Sequence, residues 1–400
     1  MKRASVVVYC CLFLFTLAAA STVQAGGFAL YEWSNRGIAM GTTGYAQGVD
    51  ASVVATNPSL MTELEGKHAL AGFALITPHT TVVVDGHKNK TQNDTFKVPH
   101  AYYVQQMESN PNVWFGVGMF TRFGLGTHYE DNWNGRGGLQ FVDLESVSLT
   151  PSVAFKFNEK FSMAVGVEIL KGGIHLKRST VFGPISARTS GYAIGGNISF
   201  NYKFDDQWST GFTYRAPMTM DTTGSGQFPG QPSSENEQSI KATLPGSYSL
   251  GVAYKPADNW VWEFDVIHTR WDSVDKMTYS GTIDSEHWLH YKNTWRGQIG
   301  TEYWATDWMA VRFGYVYDQT PTRGGDASFM LPANDRQLVS TGLGFKWDKW
   351  TLDASFMYVQ AKERSNLSIS NPATAPGAVS RVDFKDGKTW ITGMSLGYAF

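Results

Sequence analysis

The sequence predicts an all-β protein, a fourteen-stranded antiparallel β-barrel that crosses a membrane. Three observations carry this. Apolar and polar residues alternate with a period of two along most of the chain. The alternating segments are even in number, and their connections are short and long in turn. The chain also carries an export signal but has no later apolar run long enough for a spanning helix.

The amino terminus comes first. Met1-Lys2-Arg3 is a short basic start, the run from Val6 to Ala20 is apolar, and Val23-Gln24-Ala25 follows. This three-part pattern is a secretory signal peptide over residues 1–25, with cleavage expected after Ala25. Both cysteines, Cys10 and Cys11, leave with it, so disulfides, thiol chemistry and Cys-ligated metals are excluded from the mature chain. Lys plus Arg falls from 33 to 31 against 35 acidic residues, a net charge of −4. No basic footprint for nucleic acid is present. Charged residues make up 17%, below the roughly 25% of an average soluble protein, while aromatics reach 14%. An exported chain without spanning helices can still cross a membrane as a closed barrel.

The alternation is explicit. Between Ser146 and Phe157 the odd positions are Val147, Leu149, Pro151, Val153, Phe155 and Phe157, against Ser146, Ser148, Thr150, Ser152, Ala154 and Lys156. From Tyr192 to Phe204 the apolar set is even, and the opposite face is Ala193, Gly195, Asn197, Ser199, Asn201 and Lys203. The closing segment sets Trp390, Thr392, Met394, Leu396, Tyr398 and Phe400 against small or polar neighbours. Such a dyad places one face in lipid and the other in a polar lumen.

A soluble sandwich would show the same alternation, so the spacing decides. Fourteen segments are expected at about 67–77, 97–107, 113–122, 140–157, 160–178, 191–204, 207–217, 240–255, 260–270, 288–303, 307–318, 335–347, 350–361 and 388–400. Tight connections such as Asn158-Glu159, Asp205-Asp206 and Asp348-Lys349 alternate with long ones near 78–96, 123–139, 179–190, 218–239, 271–287, 319–334 and 362–387. Trp208, Trp260, Trp262, Trp308, Trp347, Trp350 and Tyr398 stand near segment ends, where an amphipathic ring suits the headgroup level. Residues 67–400 are thus the barrel. Residues 26–66, rich in small side chains, are either a periplasmic tail or a plug in a lumen too wide for wall side chains to fill.

Several motifs then resemble one family in order. Gly27-Phe28-Ala29-Leu30-Tyr31-Glu32 and Asp50-Ala51-Ser52, followed by Asn57-Pro58-Ser59, resemble the start of the FadL-type outer-membrane transporters, with Ser59 where the family pattern has Ala. Arg122-Phe123-Gly124-Leu125, Arg312-Phe313-Gly314-Tyr315, Asp318-Gln319-Thr320-Pro321 and Gly397-Tyr398-Ala399-Phe400 are similar too. The resemblance spans the mature chain. It implies a fourteen-stranded barrel with an N-terminal plug, or hatch, over 26–66, and uptake of long-chain fatty acids or, in some branches, aromatic hydrocarbons. It implies an inward kink of the third strand at Thr121, Phe123 and Gly124, near the turn Asn57-Pro58, through which ligand leaves sideways into outer-membrane lipid. It also implies that Gly26, Gly27 and Phe28 reach an internal ligand and that Arg178 and Lys292 hold its carboxylate. No cofactor is implied.

Parity tests part of this. Arg178 shares the even phase with Ser162, Ala164 and Gly166, and Lys292 shares it with Arg296 and Gln298, so both are expected to face the lumen. Glu168, Arg215, Arg296 and Arg312 read as ordinary lumen charges, solvated or paired. Gly124 permits a bend, and the Asn57 side chain is expected to satisfy the backbone groups that a bend frees. The loop at 179–190 reads as short, unlike the long capture loop of fatty-acid members. Hydrolysis is not expected: His-Glu-x-x-His does not occur, and the nine histidines are scattered. A general porin is disfavoured by a plug and by the lumen-phase residues Leu170, Ile174 and Leu176.

Overall fold

The computed structural model describes residues 27–230, 236–282, 284–332 and 334–400. The signal peptide and Gly26 lie outside the described residues. Fourteen strands form the ring: β1 (Lys67–Val84), β2 (Phe96–Met107), β3 (Asn110–Phe120), β4 (Phe141–Lys156), β5 (Phe161–Thr180), β6 (Gly183–Lys203) and β7 (Trp208–Arg215), then β8 (Ser247–Ala257), β9 (Trp260–Thr269), β10 (Thr294–Thr306), β11 (Met309–Asp318), β12 (Arg336–Trp347), β13 (Trp350–Ala361) and β14 (Val379–Ala399). Each pairs antiparallel with its chain neighbours. The same holds from β9 round to β14, and β14 pairs with β1 from Ala399↔His68 to Val382↔Val84, closing the ring. Closure leaves no sheet edge, as a wall in lipid requires.

The two phases separate as the alternation predicts. Leu149, Phe155, Val165, Val167, Ile169, Ile194, Leu250, Phe264, Phe313, Val339 and Met394 are exposed on the outer face, while Ser148, Thr150, Ser162, Glu168, Ser199 and Gln298 are buried inside. The outward apolar run on β5 stops at Ile169, and Lys171 is exposed above it.

Above that level the wall continues, and two expectations are corrected. The segment 179–190 is not a loop: β5 and β6 pair as far as Thr180↔Gly183, so Val181-Phe182 is a tight hairpin turn. The stretches 218–239 and 271–287 contain strands Met218–Gln227, Asn236–Leu244, Lys276–Gly281 and Ser285–Trp288, which extend the wall outward. Outside the bilayer neither face needs to be apolar, so the period-2 signal fades there.

Residues 28–64 fill the lumen. Helix α1 (Asn35–Ala39) starts at Ser34, whose Oγ accepts from Gly37 N at 3.0 Å. A second short helix, α2 (Val53–Thr56), leads to Asn57, whose Oδ1 caps the 3₁₀ turn Pro58–Glu63 by accepting from Ser59 N. This segment is held by charge as much as by packing. Arg36 donates two hydrogen bonds to Glu302, which also takes Arg312; Arg312 pairs with Asp353 at 2.6 Å. Asp265 and Glu263 accept from Gly44 N and Ala46 N. Arg296 reaches Thr42 and Asp318, and Arg336 also binds Asp318. The arginines are buried against carboxylates and Glu263 and Asp265 against N–H donors, so loss of any one partner would leave a buried group unsatisfied. Gly314 allows a close approach: a Cβ there would stand 2.0 Å from Gly41 N.

Candidate functional site: an apolar chamber beside a break in the wall

The third strand ends at Phe120 and resumes as Leu125–His128 along β4. Phe120 faces Ser148 and Leu125 faces Leu144, so four residues, 121–124, stand opposite three, 145–147. One residue is surplus, as in a bulge. The phase shifts with it: the even-numbered Phe120 faces Ser148 before the surplus and the odd-numbered Leu125 faces Leu144 after it, both partners being inward even positions of β4. On the other side, β3 pairs with β2 only up to Met119↔Ala101. Residues Phe96–His100 pair with Ile76–Gly72 of β1 and, among the described residues, have no partner strand toward β3. The result is a side window between β2 and the interrupted third strand, at the outer margin of the apolar band.

The freed backbone groups are met from inside. Ala29 bridges Phe123; Leu30 N donates to Arg122 O at 2.8 Å, and Gly124 N to Phe28 O at 2.9 Å. Trp33 Nε1 donates to Thr121 O, and Ser146 Oγ both donates to Phe123 O at 2.6 Å and accepts from Phe123 N. Strand pairing is therefore interrupted at 121–124, which includes Thr121, Phe123 and Gly124, and the Asn57-Pro58 turn does not supply the partners there. Asn57 Nδ2 donates to Tyr45 O and Phe200 O, and Ser59 N to Ser199 Oγ, so this turn docks on β6. The reason is reach: Phe28–Leu30 already runs antiparallel to the kink and offers main-chain partners that one side-chain amide cannot match.

Behind the window is a chamber with about 50 Å³ of free space. Phe28, Leu125, Leu144, Ile174, Met277 and Leu289 are among fifteen lining residues, none of them charged; Ser328 and Tyr291 bring the hydroxyls. Burial pushes the Tyr291 phenol well up, so it is a neutral donor at physiological pH. Met220, Met277 and Met330 give the wall side chains that adapt to an irregular guest. Phe28 sits between the two sites, its ring 4.8 Å from Trp271 edge-on and 5.9 Å from Phe123. Gly27 has φ 79° and lies so close that a Cβ would meet the Trp271 ring at 2.2 Å.

The two cations separate. Arg178 keeps the lumen phase near the outer end of β5, half-buried and close enough to Tyr279 and His287 to act on both; burial first and then this charge hold the His287 imidazole low. It is not among the chamber's lining residues. Lys292 does not face the lumen. The strand begins at Thr294, so parity counted from 288 does not apply; Lys292 is exposed and its N–H bonds Pro321 O. By contrast Glu168, Arg215, Arg296 and Arg312 are buried and paired, Glu168 taking Arg122 at 3.0 Å and Arg215 at 3.3 Å. Trp271, Ser146 and Trp33 went unnoticed in the sequence. Trp271 lies in a stretch without alternation, and its bulk directly after a strand end is the one available signal.

Comparison with known proteins decides the family: the model of outer membrane protein transport proteins (OMPP1/FadL/TodX) matches residues 16–400. The chain belongs to that family. It is 24% identical to a long-chain fatty acid transport protein of Escherichia coli O6:H1 over 94% of this chain and 95% of that one. It is also 24% identical to outer membrane protein P1 of Haemophilus influenzae, covering 87% and 88%. Among solved structures it resembles a Pseudomonas aeruginosa FadL homologue (TM-score 0.81, 19% identity, 95% and 99% covered) and the Pseudomonas putida toluene transporter TodX (TM-score 0.72, 17% identity, 93% and 99% covered). This FadL-family chain is an outer-membrane transport protein, and the family is one of transporters rather than enzymes.

Proposed function

We propose that the protein is a passive carrier that takes long-chain fatty acids into the apolar chamber and releases them sideways through the window into the bilayer. The observation that carries this is shared walls: Leu125 and Phe28 line the chamber and also belong to the window's edge and inner cover. A guest that leaves the chamber at this point meets lipid without crossing the polar plug.

The energetics suit a carrier with no energy source. Each buried methylene contributes about 0.8 kcal/mol, so a dozen supply on the order of 10 kcal/mol gross, which requires the chamber to expand beyond its 50 Å³ of free space as the acyl chain enters. Immobilisation offsets part of it. Release then needs a switch. Withdrawal of Gly27 and Phe28 from Trp271 enlarges the chamber and uncovers Phe123 in one movement. Arg178, four residues outward of the chamber-lining Ile174 on the same strand, attracts the carboxylate, the acyl chain extending inward past Ile174. The uncharged lining supports a second reading, a neutral aromatic hydrocarbon. Uptake of radiolabelled oleate and of toluene by Arg178→Ala distinguishes them. The fatty-acid reading expects oleate binding weakened about tenfold, the loss of one charge-assisted contact, with toluene unchanged; equal binding of oleate by wild type and variant contradicts it.

A further inference from the structure

We infer that His128 is a clasp across the outer rim of the side window, a positioning residue that sets how readily the window opens. The inference rests on the lateral-release reading above and deepens it. His128 is the last residue of the strand that resumes after the kink. Its Nδ1 lies 2.8 Å from Asp94 Oδ2, in the segment that leads into β2, and its Nε2 lies 2.8 Å from Asp143 Oδ1 on β4. One imidazole thus ties together the two sides between which the wall is unpaired. Phe96, at the start of the unpaired edge of β2, sets its ring 6.0 Å from His128, and Phe141 sets its own at 5.8 Å from the other element.

The rim is otherwise thin. Thr91 bridges Tyr129, Gln92 N donates to His128 O at 2.9 Å, and Gln92 Nε2 donates to Tyr129 O. Below these contacts nothing described pairs Phe96–His100 to the third strand until Ala101 meets Met119. The backbone contacts do not titrate, whereas the clasp does. Only the imidazolium donates from both nitrogens, so only the protonated ring satisfies both carboxylates at once. The neutral ring has one donor and leaves one carboxylate facing a lone pair.

The site lies outside the bilayer, since Phe141, the residue paired with His128, stands opposite Lys177 on β5, well above Ile169. The charges that face it are Asp94 and Asp143, with His175 and Arg188 beyond, Arg188 bonded to the His175 ring at 3.2 Å, and Glu145 next to Asp143 on the same strand face. The hydrogen bond to Asp143 raises the His128 pKa above its ordinary 6.5; burial opposes this, and the charges of Asp143 and Asp94 add to it. The sign follows. The clasp's contribution is full below about 6.5 and is lost as pH rises through the raised value.

The test uses the full-length protein in liposomes, with folding checked by heat-modifiable migration. Two readouts run side by side: hydrogen exchange of residues 91–95 and 125–129, each rate divided by the intrinsic amide exchange rate at the same pH so that it reports opening alone, and efflux of radiolabelled oleate. In wild type, exchange in both segments and efflux are expected to rise at least about threefold between about pH 6 and about pH 9. His128→Gln should be fast at both pH values, and His128→Arg, which stays charged and bifurcated, slow at both. Segments that exchange alike at both pH values in wild type and in His128→Gln overturn the clasp. Exchange that follows the expected pattern while efflux does not change supports the clasp and overturns lateral release.

Discussion

Gly314→Ala tests whether the plug is held by close fit against the wall. Gly314 has the lumen phase of β11, two residues from Arg312, and a Cβ there would stand 2.0 Å from Gly41 N and 2.3 Å from Met40 C. Both neighbours are backbone, so no flexible side chain can give way. Ordinary contact begins at 3.4 Å, so the plug must retreat by about 1.4 Å, the difference of the two distances. That stretches Gly41 N to Ser340 Oγ and Ser340 Oγ to Ala39 O, both 3.0 Å, beyond hydrogen-bond range. Two bonds at about 1 kcal/mol each and an overpacking cost of about 1–3 kcal/mol weaken plug docking by about 3–5 kcal/mol. The assay is limited trypsin digestion in detergent, because Arg36 is buried only while α1 is seated, together with single-channel conductance in planar bilayers. Gly314→Ala should be cleaved after Arg36 and should show channel openings. Gly297→Ala, one strand away with nothing within 4 Å of its Cβ, should be silent in both. If the two variants are equally protected and equally closed, close fit does not hold the plug.

Two further predictions concern the chamber and the kink. Phe28→Ala removes the ring that contacts Trp271 and Phe123; with a packing loss of about 3 kcal/mol, oleate should dissociate about tenfold faster or more by stopped flow, and an unchanged rate would show that the N-terminal segment does not close the chamber. Ser146→Ala strips Phe123 N and O of their wall-side partner; at about 1–3 kcal/mol for such a loss, amide exchange at Phe123 should accelerate on the order of tenfold, and exchange at the wild-type rate would mean that Phe28–Leu30 alone holds the kink.

Legibility in the sequence follows the solvent. Where the wall faces lipid, burial on one side only imposes a period of two, and β4, β5 and β13 fall within two residues of the expected limits. Above the bilayer both faces meet water or a guest, so the alternation places the start of β6 at about Gly191, whereas it starts at Gly183. The interruption of the third strand was legible only through the family resemblance, with Gly124 a residue that permits a bend, and the structure shows a surplus residue there. Its partner was not legible: an antiparallel contact between Ala29 and Phe123 joins residues far apart in the chain and leaves no local pattern. The paired charges Glu168, Arg215, Arg296 and Arg312 were visible as charges in the lumen phase, whereas Lys292 failed because parity was counted through a loop whose backbone turns at His290, φ 45°. The Asp94–His128–Asp143 cluster draws one residue from each of three segments, so its chemistry exists only after the wall has folded.

The surplus residue of the third strand offers the most direct test of sideways release. Deleting Gly124 leaves three residues opposite three, which restores register between Phe120↔Ser148 and Leu125↔Leu144 and lets the strand run straight. The deletion variant should migrate as a folded barrel and bind oleate in its chamber, yet transfer of oleate to the surrounding liposome bilayer should fall to background. Transfer at the wild-type rate through a wall shown to be straightened would contradict the account.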